Sequence, residues 1–256
     1  MIKDNEKVTV IIATHNDAST IKRAVESVSK GIRPADRIVV GDNDSTDNTY
    51  GVLCDMLGAK PIEIEGKSGL PPQVDGKIND TQIMIFRKRK STTAHTINMA
   101  LQMGHQGTTI FGFMDPSSYY APDKITNAIQ VFGQHGSAAC VVSDCDNHHP
   151  DGTVERVFRQ SFDMQRLLSS FEYDRNFLVR IQLFPKLQSG FNEQLSDMEH
   201  YDFLIRAAEI GLIYHVPAPL HHNVLVEQDA SDAARIEHSS EIVRQLAIKR
   251  REQTNG

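Results

Sequence analysis

The sequence predicts an α/β fold in which a mostly parallel, Rossmann-like sheet is flanked by helices. Over residues 1–145, short β-branched runs alternate with amphipathic segments of about ten to fifteen residues, as in parallel strands joined by helices. The first such run, residues 8–13, is apolar almost throughout, which is typical of a strand covered on both faces. The 256 residues are 39% hydrophobic, so the chain is able to bury a sizeable core.

The first helices and strands follow from their boundary signals. Asp17 or Ser19 comes directly after the first strand and is predicted to cap a helix that ends at Gly31. Residues 37–40 are predicted to form the second strand, and the polar turn at residues 42–47 leads into a second helix. These elements form a β-α-β-α unit.

Further along, two more strands are predicted at residues 61–65 and 82–86. They are separated by residues 66–72, whose Gly and Pro content predicts an exposed, mobile loop. Residues 109–114 are predicted to form a buried strand that ends abruptly at Asp115. Because open α/β sheets bind ligands at the carboxyl ends of their strands, Asp115 is a candidate site residue, although it could also only cap a turn.

The second half of the chain is predicted to be α+β, because the regular alternation fades beyond residue 145. A hairpin is predicted to turn at Asp151 and Gly152, followed by scattered helices and a final strand at residues 212–216. Residues 231–251 have the spacing of an amphipathic helix with a basic end.

Charge and cysteine content exclude several classes of protein. The formal net charge is −6, from 27 Lys and Arg against 33 Asp and Glu, which argues against indiscriminate nucleic-acid binding. Three cysteines without a Cys-x-x-Cys pair predict neither a disulfide framework nor a standard zinc site. No run approaches the roughly 20 apolar residues of a membrane-spanning helix, and the first residues lack a signal-peptide core. We therefore expect a cytoplasmic protein.

Two neighbouring strands end in distinctive polar turns. Residues 10–16 end in Thr-His-Asn, and residues 38–49 continue about thirty residues later into Asp-Asn-Asp-Ser-Thr-Asp. Further segments continue the pattern at residues 98–101, 113–115, 190–193 and 199–206. Over roughly residues 7–220, the chain thus resembles family-2 glycosyltransferases of the GT-A fold. The resemblance implies that a sugar is transferred from a nucleotide-diphosphate sugar to an acceptor hydroxyl, usually with inversion.

The resemblance also implies donor contacts at the strand ends. Asp42 is similar to the family residue that accepts hydrogen bonds from uracil, although from the sequence alone it could equally cap a helix. The other candidate donor contacts are Thr14, His15 and Asn16 for base and ribose, Lys88 and Lys90 for the phosphates, and Asp115. His15 could instead be structural, and the basic run 87–90 could be a solvated surface. We expect a UDP-sugar as the donor.

The candidate metal site departs from the family pattern. Where the family carries Asp-x-Asp, whose carboxylates hold a divalent cation on the diphosphate, this chain has Asp115, Pro116 and Ser117. Hard cations prefer several oxygen ligands, so we expect Asp115 and Ser117 to bind Mn²⁺ or Mg²⁺ weakly. His222 or its neighbour His221, after the last predicted strand, could supply a further ligand. The basic run could also stabilise the leaving group.

The candidate general base departs from the pattern as well. The family's Glu-Asp pair is replaced by Glu199 and His200, and His200 occupies the position of the catalytic Asp. Histidine is competent to remove a proton from an acceptor at neutral pH. Asp197 or Glu199 could substitute for His200 or orient its ring. Alternatively, these carboxylates only stabilise the start of a helix.

We expect residues 1–230 to form a single domain, with residues 1–115 as the nucleotide-binding half and residues 116–230 as the acceptor-binding half. Residues 231–256 are predicted to form the C-terminal helix, whose basic residues 249–251 could contact an anionic surface peripherally. The acceptor could be a glycan, a small molecule or a hydroxylated DNA base. Since two family carboxylates are replaced, the alternative is a non-catalytic domain that binds or scaffolds nucleotide sugars.

Overall fold

A computed structural model describes most of the chain. The residues it describes are 5–62, 71–170, 173–187, 190–226 and 230–255. Residues 63–70, which make up most of the predicted strand at residues 61–65 and of the predicted loop at residues 66–72, lie outside this set.

Strands and helices alternate through the first half of the chain and become less regular in the second. The strands are β1 (Val8–Thr14), β2 (Arg37–Asn43), β3 (Gln73–Ile78), β4 (Thr81–Lys88), β5 (Ile110–Met114), β6 (Ser118–Tyr120), β7 (Ala138–His148), β8 (Val154–Val157), β9 (Leu178–Arg180) and β10 (Leu212–Val224). The helices are α1 (Ile21–Ser29), α2 (Thr49–Met56), α3 (Thr93–Gly104), α4 (Lys124–Gln134), α5 (Met164–Ser169), α6 (Glu199–Ile210) and α7 (Ala230–Asn255), with a 3-10 helix at Ile181–Lys186.

The strands form one sheet in the order β3-β4-β2-β1-β5-β9-β7-β10-β6, and β8 pairs with β7. β4, β2, β1 and β5 are parallel neighbours, as are β7 and β10. β9 lies antiparallel between β5 and β7, so that β7 runs in the same direction as β5. The predicted α/β class with a mostly parallel sheet is thus confirmed, and the sheet contains strands from both predicted halves.

Helices cover both faces of the sheet, which explains why its central strands are apolar throughout. Val10 and Ile12 pack into a layer with α1, α2 and α4. Ile11, which points to the opposite face, packs into a second layer with α3, α5, α6 and α7. Since successive side chains alternate between faces, burial of both faces requires a continuous apolar run.

A hairpin that the sequence pattern does not predict forms the edge of the sheet. β3 and β4 pair antiparallel across the two-residue turn of Asn79 and Asp80, and Asn79 has φ 52°. Asn adopts this left-handed conformation more readily than most residues, so this dipeptide was the available signal. β3 is thus a strand in addition to those predicted from the sequence.

The start of α1 differs from its prediction. The N-cap residue is Thr20, and no side-chain hydrogen bond caps the helix, so the predicted cap at Asp17 or Ser19 is wrong. The carboxylate of Asp17 instead accepts hydrogen bonds from the Thr14 hydroxyl at 2.7 Å and the His15 backbone N–H at 2.9 Å. Asp17 therefore stabilises the turn after β1 rather than the helix.

The last strand is longer than the predicted strand at residues 212–216. β10 continues to Val224, past Pro217 and Pro219, because its pairing with β7 shifts register on both sides of Pro219. Bulges of this kind accommodate residues that cannot donate to the ladder. His221 and His222 consequently lie inside the strand and not after it.

Helix α7 occupies the segment predicted to form the C-terminal helix, and its Val243 is fully buried. At its basic end, Arg250 lies 3.0 Å from Asp202 and Arg251 lies 3.4 Å from Glu209, and both carboxylates belong to α6. The basic end is therefore engaged in ion pairs within the molecule. Across the residues that the structure describes, we find no helix with the length and apolarity needed to cross a bilayer.

Candidate active site

The carboxyl ends of β1, β2 and β5 open into a cleft of about 550 Å³, which we call the main cleft. It lies at the sheet edge where open α/β folds bind ligands. Its wall includes the predicted site residues Thr14, His15, Asn16, Asp115 and Ser117, together with Asp17, Arg175 and Arg235. A second cleft of about 510 Å³, at the start of β7 and β10, contains no predicted site residue among the side chains that the structure describes. Among the described residues, the main cleft thus brings together five of the predicted site residues.

The loops after β1 and β2 are tied together beside the main cleft. Asn16 has φ 63°, and its Oδ1 accepts backbone hydrogen bonds from Thr46 at 2.8 Å and Asp47 at 3.3 Å. Nδ1 of His15 donates to the carbonyl oxygen of Asn43 at 2.9 Å. In a neutral His15, the acceptor nitrogen is therefore Nε2. These bonds hold the polar turn in a single shape.

Asp42 ends β2 but is fully buried and does not line the main cleft. Its carboxylate accepts a hydrogen bond from the Ser45 hydroxyl, and its Oδ2 lies 3.0 Å from Nε of Arg87, without the alignment of a hydrogen bond. Burial raises the pKa of Asp42, although Ser45 and Arg87 oppose this effect. A nucleotide base reaches this carboxylate only by displacing one of these partners.

The basic run 87–90, which begins at the end of β4, is absent from the described lining of the main cleft. Lys88 is buried, and its Nζ donates to the carbonyl oxygen of Arg89 at 2.9 Å and to the Ser91 hydroxyl. Burial lowers the pKa of Lys88. Lys90 is exposed but stands outside the described lining of the cleft. Phosphate contact by Lys88 or Lys90 remains a prediction that requires this loop to move.

Asp115 ends β5 in the wall of the main cleft, and both of its carboxylate oxygens have partners. Oδ1 accepts hydrogen bonds from the Ser117 backbone N–H at 2.9 Å and the Ser117 hydroxyl at 2.6 Å. Oδ2 accepts a hydrogen bond of 3.3 Å from Nη1 of Arg175. Ser117 is thus a hydrogen-bond donor to the carboxylate with which it was predicted to share a metal ion.

Arg175 joins the two predicted clusters of the site, and sequence reasoning missed it. Its Nε donates to Oε1 of Glu199 at 2.9 Å, while its Nη1 reaches Asp115. Burial acts to raise the pKa of Glu199, but Arg175 and His200 outweigh it and hold the pKa at about 2. The two carboxylates likewise outweigh the burial of Arg175 and raise its pKa above the ordinary value. Glu199 is therefore ionised at every physiological pH.

His200 lies in a smaller inner cavity directly behind the main cleft. This cavity, about 10 Å³ in volume, shares Ala13, Thr93 and Arg175 with the cleft and is otherwise walled by apolar side chains such as Phe113. Its volume is at the lower limit of what holds one water molecule. Nδ1 of His200 lies 3.7 Å from Oε1 of Glu199. His200, the predicted base, is thus adjacent to Glu199, and it lines the inner cavity rather than the main cleft.

Helix α6 begins with a strained residue that positions both Glu199 and His200. Met198 has φ 61°, an uncommon conformation for a residue with a long side chain, and the chain enters the helix directly after it. Asp197 precedes this turn and forms an ion pair with Arg235 of α7 in the cleft wall. Asp197 is therefore near the cleft, with its charge already paired.

His222 is absent from the described lining of the main cleft. Its ring stacks on Tyr119, with centroids 4.5 Å apart, and its Nδ1 lies 3.3 Å from Nε2 of His148 and 3.6 Å from Asp146. Burial lowers the pKa of His222. The expected partnership of His222 with Asp115 and Ser117 is not seen in this arrangement and stays a prediction.

A sequence profile described as Glycosyl transferase family 2 matches residues 9–186, more than half of the chain. This chain belongs to glycosyl transferase family 2. Chondroitin synthase of Pasteurella multocida (strain Pm70) is 24% identical to it over 222 residues, which are 85% of this chain and 20% of that protein. The family-2 chain thus spans about a fifth of the length of that relative.

Solved structures share the fold of this family-2 chain. Residues 1–349 of TarS from S. aureus, in complex with UDP-GlcNAc, match with a TM-score of 0.68 at 16% identity, covering 89% of this chain and 61% of that one. The mannosyltransferase PcManGT from Pyrobaculum calidifontis, in complex with GDP-Man and Mn²⁺, matches with a TM-score of 0.59 at 18% identity, covering 89% and 59%. The predicted GT-A fold is thereby confirmed.

The residues at the family's metal position fit a divalent cation poorly in this chain. Oδ2 of Asp115 already lies 3.3 Å from Nη1 of Arg175, so a cation bound to that oxygen would face the positive charge of the guanidinium. With Ser117 in place of a second carboxylate, the protein offers one fewer negative charge to offset this repulsion. The expected weak binding of Mn²⁺ or Mg²⁺ thus has a physical reason.

One other group of metal-ligand types is buried near β10, where atoms of Cys145, Asp174 and His221 lie within 4.8 Å of one another. Nζ of Lys124 donates to Nδ1 of His221 at 3.2 Å, and Arg159 lies 3.5 Å from Asp174. Burial lowers the pKa of Lys124 to about 8, which leaves it largely charged at neutral pH. These two cations make the group a hydrogen-bonded ion network that fits a further cation poorly.

Proposed function

We propose that this protein transfers a sugar from a nucleotide-diphosphate sugar to an acceptor hydroxyl, with inversion at the anomeric carbon. The observation that carries the proposal is the convergence of Asp115, Arg175 and the Thr14–Asn16 turn in one cleft, at the ligand-binding edge of a GT-A sheet. A carboxylate, a guanidinium and hydrogen-bonding groups in one cleft suit a charged, hydroxyl-rich donor.

We propose a UDP-sugar as the donor. Asp42 supports this choice because a carboxylate at the end of β2 suits the N–H of a pyrimidine base, and TarS, which has the same fold, was solved with UDP-GlcNAc. PcManGT was solved with GDP-Man, so the fold alone does not select the base. In this chain, selection would fall to Asp42 and the groups around it, and base binding would require Arg87 to move aside.

His200 is the proposed general base. Removal of the acceptor proton leaves an imidazolium, and the ionised Glu199 beside it stabilises that charge, as a carboxylate does in other base–carboxylate pairs. The inner cavity admits about one water-sized group. An acceptor hydroxyl would therefore enter it from the main cleft, past Arg175. Glu199 is less suited to act as the base because Arg175 holds its pKa at about 2.

The proposed acceptor is a glycan rather than a small molecule or a hydroxylated DNA base, because the relative named above is a chondroitin synthase. Mn²⁺ or Mg²⁺, if used, would be held weakly by Asp115 and Ser117 and would supply positive charge to the diphosphate. Contact of the basic end of α7 with an anionic surface would compete with its ion pairs to α6.

Incubation with radiolabelled UDP-sugars, with and without Mn²⁺, tests the proposal. We expect release of UDP together with sugar transfer or hydrolysis, and loss of both in Asp115→Ala. Asp75→Ala, which removes an exposed carboxylate from β3, is the matched control and should retain activity. Tight binding without turnover would instead support the non-catalytic alternative, and absence of nucleotide binding would contradict both.

A further inference from the structure

Arg175 contacts Asp115, the residue at which the family resemblance of this chain places a metal ion. Its guanidinium bridges Asp115 and Glu199, at 3.3 and 2.9 Å, in the wall of the main cleft. The side chain of Glu199 is 1% exposed, whereas those of Arg175 and Asp115 are 29% and 27% exposed. The guanidinium is thus anchored on its buried side and open to a ligand on the other.

The charges at this position balance without a metal ion. In the family pattern, a divalent cation between two carboxylates sums to zero. Here, one guanidinium beside the carboxylate of Asp115 also sums to zero, and Glu199, which both patterns contain, is left out of both sums. Compared with the family pattern, Ser117 in place of the second Asp removes one negative charge. Arg175 in place of a divalent cation removes one positive charge. Both departures therefore leave the same net charge facing the diphosphate.

A guanidinium is chemically suited to this task. A guanidinium has five N–H donors. The single N–H of Nε binds Glu199 and one N–H of Nη1 binds Asp115, which leaves three for a ligand. Arginine forms bidentate, charge-assisted hydrogen bonds to phosphate oxygens, and it stays protonated throughout a reaction at neutral pH. Preorganised positive charge at a leaving group is among the largest contributions to catalysis.

We propose that Arg175 replaces the divalent cation, so that it binds the diphosphate of the donor and makes sugar transfer independent of metal. This inference rests on the proposed function. The acceptor oxygen forms a bond to the anomeric carbon as the bond from that carbon to the phosphate oxygen breaks. The electron pair stays on the departing diphosphate, where Arg175 stabilises it, and the acceptor proton passes to the base.

The unaltered protein provides the first test. In EDTA, we expect UDP to bind, and Mn²⁺ to change both its affinity and the rate of sugar transfer or hydrolysis less than about twofold. If UDP binds only with Mn²⁺, or if activity requires it, Arg175 does not replace the cation, although the proposed function survives. If UDP binds under neither condition, the proposed function itself fails.

Variants then assign the effect to Arg175. Arg175→Ala should weaken binding of UDP in EDTA by about 10- to 100-fold, the range for hydrogen bonds to a charged group, while binding of uridine, which lacks phosphates, stays within about twofold. The UDP affinity of Arg175→Lys in EDTA should lie between those of the unaltered protein and Arg175→Ala. Equal losses for UDP and uridine would overturn the inference, because they would show a structural role only.

Rescue experiments distinguish the loss of the guanidinium charge from a loss of stability in Arg175→Ala. Free guanidinium ions at millimolar concentration should restore part of the activity of Arg175→Ala, and adding Ser117→Asp to that variant should restore activity only with Mn²⁺. Arg33→Ala is the matched control, because Arg33 pairs with Asp36 at 2.8 Å, far from the cleft. If neither guanidinium nor the second carboxylate restores activity to a folded variant, Arg175 does not act as the cation.

Discussion

Nε2 of His221 lies 2.8 Å from Oδ2 of Asp174, and the imidazole is almost completely buried. On its other side, Nδ1 accepts a hydrogen bond from the ammonium of Lys124, so Nε2 carries the proton that is donated to Asp174. This neutral tautomer satisfies both neighbours. Burial lowers the pKa of His221 to about 4, and Lys124 acts in the same direction.

This arrangement predicts that mild acid destabilises the protein. The unfolded chain binds a proton on His221 near pH 6.5, whereas the folded protein does so only near pH 4, so protons favour the unfolded chain between these values. From pH 6.5 to pH 4, the free energy of unfolding should fall by about 3 kcal/mol through this group. Urea unfolding followed by circular dichroism measures the change.

A variant assigns this pH effect to His221. His221→Gln keeps an N–H donor for Asp174 but does not titrate, so its unfolding free energy should depend less on pH over the same interval. His105→Gln, at an exposed histidine next to α3, is the matched control and should retain the slope of the unaltered protein. Identical slopes for all three proteins would show that another group causes the acid sensitivity.

The contact proposed for the base predicts the effect of Asp42→Ala. Loss of a charged acceptor for the base should weaken UDP binding by about 1.5–3 kcal/mol, which is about 10- to 100-fold. Calorimetry measures the UDP affinity. Thermal unfolding measures any loss of stability that results when Arg87 no longer has the Asp42 carboxylate beside it. Asp55→Ala, which removes an exposed carboxylate from α2, is the control. Equal UDP affinities in Asp42→Ala and the unaltered protein would remove Asp42 from the donor site.

Ser117→Asp restores the family's second carboxylate and should create a tighter site for Mn²⁺. The added charge offsets the repulsion from Arg175 and supplies a further oxygen ligand, so we expect Mn²⁺ affinity to rise by about tenfold or more. Electron paramagnetic resonance of free Mn²⁺ measures it. Ser161→Asp adds the same charge at an exposed position as a control. If both variants bind Mn²⁺ alike, residues 115–117 do not form the metal position.

The sequence predicts the parallel core well because each central strand is buried on both faces and is followed by a helix with a clear apolar stripe. It misses β6 and β9, which have three residues each and no room for periodicity. Arg175 is missed for a different reason. Its partners Asp115 and Glu199 are 60 and 24 residues away, and only the folded sheet brings them together. The absent second carboxylate was the available signal, because a change in site charge calls for a compensating cation.

His200 is the proposed general base. If it removes the acceptor proton, His200→Ala should lower turnover by ~10²–10⁴ and leave UDP binding nearly unchanged, because the residue acts only in the chemical step. Initial rates at saturating donor and acceptor, together with calorimetry of UDP binding, give both results.

Further variants separate His200 from its neighbours. His200→Asp restores the family residue and should recover part of the rate, provided that its shorter side chain reaches the acceptor. Asp197→Ala should retain most of the activity, because that carboxylate is paired with Arg235 rather than directed into the inner cavity. Full turnover in His200→Ala would show that another group removes the proton. Asp197 would then be the leading candidate, because the Arg175 pairing that keeps Glu199 ionised also makes it a weak base.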